Sequence, residues 1–206
     1  MDLKAMGLDF PELTFRDEDH TYHLNGVTIP SVTTVMKPLS MTVYGSINEN
    51  ALAAAERGSL VHEAIENFIK FGVKDCYPEY QNYFDAFLDW YKQYRVEVLA
   101  SEVPLYHKLY QYAGTADLLC KIKNELWLID LKTTAVNNKM LTSVQLAAYN
   151  AALASHDFKT DRKGILLLKP NGGFSFDESK KDADREGWET FGALMTVRSH
   201  IERYRR

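Results

Sequence analysis

At 206 residues the chain is long enough to bury one large core and short for two independent ones, so a single domain over 1–206 is expected. Its 46% hydrophobic content, with 12 Tyr, 10 Phe and 3 Trp, excludes wholesale disorder. A net charge of −4 excludes a uniformly basic coat for a polyanion, so any nucleic-acid site must be a local patch.

The first predicted element is a hairpin, Phe15 to Asp17 and Thr21 to Leu24, with Asn25-Gly26 turning tightly into Val27-Thr28-Ile29. Pro30 and Pro38 punctuate the next stretch of chain, and residues 14–40 read as an extension of the main domain. Between the prolines, the hydroxyls of Ser31, Thr33 and Thr34 are placed either to cap a short helix or to hold a phosphate. Apolar residues at helical spacing, Val61, Ala64, Ile65, Phe68 and Ile69, predict a helix from Ala51 to Phe71 that stops at Gly72. A second helix is expected from Glu79 to about Val98, its stripe of Tyr83, Phe84, Phe87 and Tyr91 reading as core.

The period then changes. Val103 to Tyr106, Tyr112 to Ile122 and Glu125 to Leu131 read as three strands, followed by a helix from Ser143 to Ala154 and a buried strand from Gly164 to Leu168. Gly172-Gly173 turns into Phe174-Ser175-Phe176, and a last helix carries Trp188, Phe191, Leu194 and Ile201 before the basic run Arg203 to Arg206. Strands flanked by helices predict a layered α/β domain. Cys76 and Cys120 are too few for a four-cysteine zinc or iron–sulfur site and read as buried thiols. With no signal-like N-terminus and no apolar stretch of roughly 18 residues, a soluble cytoplasmic protein without a membrane partner is expected.

Chemistry concentrates in Gly114-Thr115-Ala116-Asp117-Leu118-Leu119 and, after a short turn, Trp127-Leu128-Ile129-Asp130-Leu131-Lys132. Each places a carboxylate in an otherwise apolar strand, where an unpaired charge is costly and a hard divalent cation compensates it. The hairpin can set Asp117 beside Asp130, while Asp130 and Lys132, two apart, project to one face and leave the Leu131 carbonyl as a backbone ligand. Two carboxylates, a carbonyl and a lysine suit phosphodiester hydrolysis assisted by Mg2+ or Mn2+.

These two segments resemble the active site of the PD-(D/E)XK nuclease superfamily, with Asp130 at the position more often filled by Glu. Further residues resemble its RecB-like exonuclease branch: His62 after Arg57-Gly58-Ser59-Leu60-Val61, Glu102 before the strand at Val103, and Gln145 with Tyr149 at a four-residue spacing. The order of these motifs is similar to that in small stand-alone bacteriophage exonucleases and, more distantly, in the mitochondrial genome maintenance exonuclease. The resemblance implies a restriction-endonuclease-like core, a mixed central sheet flanked by helices, and one or two Mg2+ or Mn2+ ions. It further implies His62 near the metal, Glu102 reaching it through water, and Gln145 and Tyr149 facing the site or the DNA backbone. The cysteine clusters that hold an iron–sulfur cluster in many relatives are missing, so none is expected.

Single-stranded DNA or DNA ends are the implied substrate, and a single-strand annealing, replication or recombination protein the implied partner. Arg57, about one and a half helical turns before His62, is the first candidate for a phosphate contact, because a guanidinium grips phosphate bidentately. Lys139, Lys37 in the N-terminal loop, and Arg162 and Lys163 before the late strand are others. Tyr44 or Tyr112 could stack on a base, although core packing is the simpler reading. Two other readings stand beside the exonuclease: a structure-specific endonuclease sharing every catalytic residue, and a catalytically silent DNA-binding accessory of recombination or replication.

Overall fold

Asn25 and Gly26, both at positive φ (50° and 79°), turn β2 (Thr21–Leu24) directly into β3 (Val27–Ile29). Because β2 also pairs with β1 (Leu13–Arg16), the chain opens as a three-stranded antiparallel meander. The computed structural model describes residues 3–45 and 49–204. Leu13, Tyr22, Leu24 and Ile29 of the meander form a small core with Ala113, which belongs to the main sheet.

The next element is longer than its prolines suggested. Helix α1 runs from Val32 to Tyr44 with Pro38 inside it. A mid-helix proline costs about 3 kcal/mol; here Val32, Val35 and Met36 are buried on one face before it, and the Ser31 side chain accepts the Thr34 N–H at 3.0 Å. Tertiary packing and the cap therefore carry α1 through the proline. Lys37 accordingly lies on a helix, not in a loop.

Helices α2 (Glu49–Phe71) and α3 (Gln81–Tyr94) follow, joined in part by a 3-10 turn at Pro78–Tyr80. Gly72, at φ 71°, ends α2 and donates to Phe68 O. Helix α3 stops four residues short of its expected end, because Arg95 adopts φ 51° and its N–H closes back on Lys92 O. The residues after it belong to β4 (Glu97–Tyr106).

The main sheet continues with β5 (Ala113–Ile122), β6 (Glu125–Lys132), β7 (Arg162–Leu168) and β8 (Phe174–Glu178), in the order β4-β5-β6-β7-β8. β6 and β7 run parallel, because α4 (Lys139–Ser155) carries the chain back between them; the other neighbours are antiparallel. Val61, Ile65, Phe84, Phe87 and Trp90 of α2 and α3 bury against Leu118, Cys120, Ile129 and Leu166. A second core joins Val35 of α1, Val144 and Ala148 of α4 and Phe191 of α5 (Lys181–Tyr204) to Ala100, Leu105, Leu119 and Leu128. The result is a mixed α/β fold with a five-stranded mixed sheet between helical layers, consistent with a restriction-endonuclease-like fold. The aromatic stripe of α3 is core, and Cys120 is buried, whereas Cys76 is only half-buried. Among the described residues no helix is long and apolar enough to cross a membrane; Arg205 and Arg206 of the basic run lie outside them.

Candidate metal centre

Regular strands alternate their side chains between two faces, and β4 and β5 break that rule at one level. Ala100 and Val103, three apart, pack into the same core, as do Ala116 and Leu119. The ladder pairs Ser101 with Leu118 and Val103 with Ala116, so Glu102 and Asp117 face one another where both strands skip a step. Glu102 sits at φ 47°, a left-handed conformation that is strained for a non-glycine residue inside a strand and that clusters at functional sites. On the other side, the β5–β6 ladder ends at Leu118 with Ile129, leaving Asp117 and Asp130 opposed one step beyond it. The Leu131 N–H donates instead to Asp117 Oδ2, at 2.6 Å.

His62, on α2, completes this end of the site. Its Nδ1 lies 3.1 Å from Glu102 Oε1 and 3.9 Å from Asp117 Oδ1, and its Nε2 is 3.3 Å from the Leu131 carbonyl. Burial alone would lower the His62 pKa, but the Asp117 and Glu102 carboxylates outweigh it and hold it at about 9. The imidazolium therefore donates from both nitrogens. His62, Glu102 and Asp117 each offer a ligand atom, and these atoms all lie within 4.8 Å of one another.

Asp130 and Lys132 project together from β6. Asp130 is 2% exposed; its Oδ1 accepts from Lys132 Nζ at 3.0 Å, while Oδ2 is 2.9 Å from the same ammonium without an aligned hydrogen bond. Burial pushes the Asp130 carboxyl up to about 6 against the attraction of Lys132, and burial raises Asp117 too, against His62 and Lys132. Burial works to lower Lys132, but Asp130 and Asp117 together raise it, so it remains an ammonium. Lys132 Nζ also donates to Gln145 Oε1 (3.1 Å), and Gln145 Nε2 lies 3.5 Å from Tyr149 Oη. Gly114 makes room for that tyrosine: a Cβ there would lie 2.6 Å from Tyr149 Cε1.

Two clefts, each of about 260 Å³, open onto these groups and share Thr33 of α1. One is lined by Glu102, Asp117, Tyr149, Ser31 and Thr33 together with Phe15, His20 and Tyr22 of the meander. The other holds Lys132, Gln145, Thr134 and Tyr44. Arg57 Nη2 donates to Thr133 O at 3.2 Å just past β6, and its guanidinium lies 5.5 Å from the Tyr83 ring centre. Ser31 caps α1 while facing the first cleft, so both of its expected uses remain.

Several sequence candidates fall elsewhere. Lys37 and Lys139 are exposed but line neither cleft. Arg162 is not a free cation: it bridges Glu125 and Glu178, and Lys163 pairs with Asp184. Tyr112 cannot stack on a base, being fully buried with its hydroxyl on Ala148 O. Asp130, expected among the metal ligands, pairs with Lys132 and lies beside the His62, Glu102 and Asp117 group. The Tyr22 hydroxyl at 2.8 Å from Thr115 Oγ1 was beyond sequence reasoning, since nothing local links residues 93 apart.

The PD-(D/E)XK nuclease superfamily profile matches residues 80–202, more than half of the chain. The chain belongs to the PD-(D/E)XK nuclease superfamily. That family suggests metal-dependent nuclease activity, and its profile spans Glu102, Asp117, Asp130, Lys132, Gln145 and Tyr149; His62, Arg57 and the meander lie outside it. No curated protein matches the chain. Among solved structures, one described as the crystal structure of SSO0001 is a weak likeness: 14% identity, TM-score 0.32, with 78% of this chain and 84% of that chain covered.

The residues present fit a divalent cation. Carboxylate oxygens, an imidazole and a backbone carbonyl converge, the Asp130 Oδ2 atom is buried without a hydrogen bond, and both aspartates are held upward by burial that a cation would offset.

Proposed function

We propose that this PD-(D/E)XK protein is a DNA exonuclease of the RecB-like type, acting on single-stranded DNA or DNA ends with Mg2+ or Mn2+. The observation that carries this reading is the meeting of two groups at one end of the sheet: His62, Glu102 and Asp117, and beside them Asp130, Lys132, Gln145 and Tyr149. His62, Glu102, Asp117 and the Leu131 carbonyl, with Asp130 next to them, would hold the cation. When bound, it supplies Lewis-acid polarisation of the phosphate and a more acidic water.

Lys132, kept charged by its two aspartates, steadies negative charge on the phosphate and does not take a proton. Gln145 holds that ammonium in place, and Tyr149 backs Gln145. Arg57, anchored at Thr133, grips a neighbouring phosphate. Ser31 and Thr33 meet the strand from the α1 side. Lys37 and Lys139, solvent-facing outside the clefts, contribute only along an extended DNA path. The meander and the first turn of α1 wall a cleft of about 260 Å³ beside Asp117, which suits a single strand better than a duplex.

The test compares linear and covalently closed circular single-stranded DNA in Mn2+. Linear DNA degraded to nucleotides with the circle intact is the expected outcome. Cutting of the circle at a comparable rate would replace the exonuclease with an endonuclease using the same residues.

A further inference from the structure

The cleft holding Glu102 and Asp117 has an aromatic wall that the metal centre does not use. Phe15 of β1, His20 of the β1–β2 turn and Tyr22 of β2 line it. Tyr22 is buried, but Phe15 is 44% exposed, its ring centre 4.7 Å from that of Tyr22 and 5.9 Å from that of His20. The wall is fixed to the catalytic sheet: Tyr22 Oη meets Thr115, two residues before Asp117, Ala113 N–H donates to Pro30 O (2.9 Å), and Tyr106 Oη donates to Glu12 (2.8 Å). Asp17, Glu18 and Asp19 outnumber Arg16, which pairs with Asp19, and leave the hairpin tip net negative, so the hairpin meets a nucleic acid through its rings more than through charge.

An exposed ring facing a phosphodiester site offers a π-face to a base, a contact that any of the bases can make but that a paired, stacked base cannot reach. We infer that Phe15, with His20 beside it, stacks on an unpaired base of the strand whose phosphate enters the metal centre. The ligand class is single-stranded nucleic acid, and the inference rests on the nuclease reading of that centre.

The experiment measures fluorescence anisotropy of a labelled oligothymidylate with Ca2+ replacing Mg2+ and Mn2+, for the wild type, Phe15→Ala and Phe15→Trp. A second series moves one abasic site along the oligonucleotide. Stacking of about 1–3 kcal/mol per base converts to roughly 5- to 150-fold in affinity. Phe15→Ala is expected to bind weaker by a factor in that range, and Phe15→Trp to restore binding. One abasic position should weaken wild-type binding by the same factor and leave Phe15→Ala unaffected.

Equal affinities of wild type and Phe15→Ala, or an abasic penalty that persists in Phe15→Ala, overturn the stacking site. Should Phe15→Ala misfold, the wild-type abasic series decides, and a uniform response along the strand overturns the inference. Absence of wild-type binding overturns it as well. Binding with the expected pattern but no cleavage in Mn2+ overturns the nuclease reading and leaves the stacking site standing.

Discussion

His62 and Asp130 hold their protons more tightly in the folded chain than in an unfolded one, His62 moving from its ordinary 6.5 to about 9 and Asp130 from 3.8 to about 6. Stability falls with rising pH wherever the folded state binds more protons. In EDTA the Asp130 contribution is therefore lost as pH rises from about 4 to 6, and the His62 contribution, complete below 6.5, is lost as pH rises through 9. Calorimetry in EDTA should show the melting temperature descending in these two windows, and His62→Gln should remove the upper one. Added Mn2+ requires a deprotonated imidazole, so its stabilising effect should grow between about pH 6 and 9. A descent between about pH 6.5 and 9 that His62→Gln leaves unchanged would contradict the placement of His62.

Among the elements, β5 and α4 are joined most tightly where Tyr149 crosses Gly114. A Cβ 2.6 Å from the ring cannot be absorbed by a side chain that is 5% exposed, so Gly114→Ala must push Tyr149, and with it Gln145, away from Lys132. Overpacking of this kind costs about 1–3 kcal/mol. Urea unfolding should register that loss, with nuclease rate falling further than stability alone explains; a variant with wild-type rate and stability would show that the crossing is loose.

The same elements show what could be read from sequence. Apolar period and turn residues marked α2, the Asn25-Gly26 turn and β5 to β7, because burial and positive φ leave local signatures. Asp117 and Asp130 stood out because charge in an apolar strand demands a partner. Less visible was whatever depends on distant packing: α1 passing through Pro38, Arg95 reversing the chain so that β4 starts at Glu97, and the strained φ of Glu102. The ion pairs that occupy Arg162 and Lys163 join separate elements and have no local pattern either.

At the scale of the whole molecule, a chain of net charge −4 can handle a polyanion only by confining the encounter to a small region. That region lies where the main sheet, α2, α4, the start of α1 and the meander converge, with carboxylates balanced by His62 and Lys132. A bound cation would turn this acidic centre attractive to phosphate. The most direct measurement is release of labelled nucleotides from linear single-stranded DNA in Mg2+, Mn2+ or EDTA, by wild type, Asp117→Ala and Lys132→Ala, with melting curves confirming that both variants fold. Release by the wild type in Mg2+ or Mn2+, none in EDTA, and a loss on the order of a hundredfold or more in each variant is the predicted result. Release that persists in EDTA, or folded variants that cleave at the wild-type rate, would contradict it.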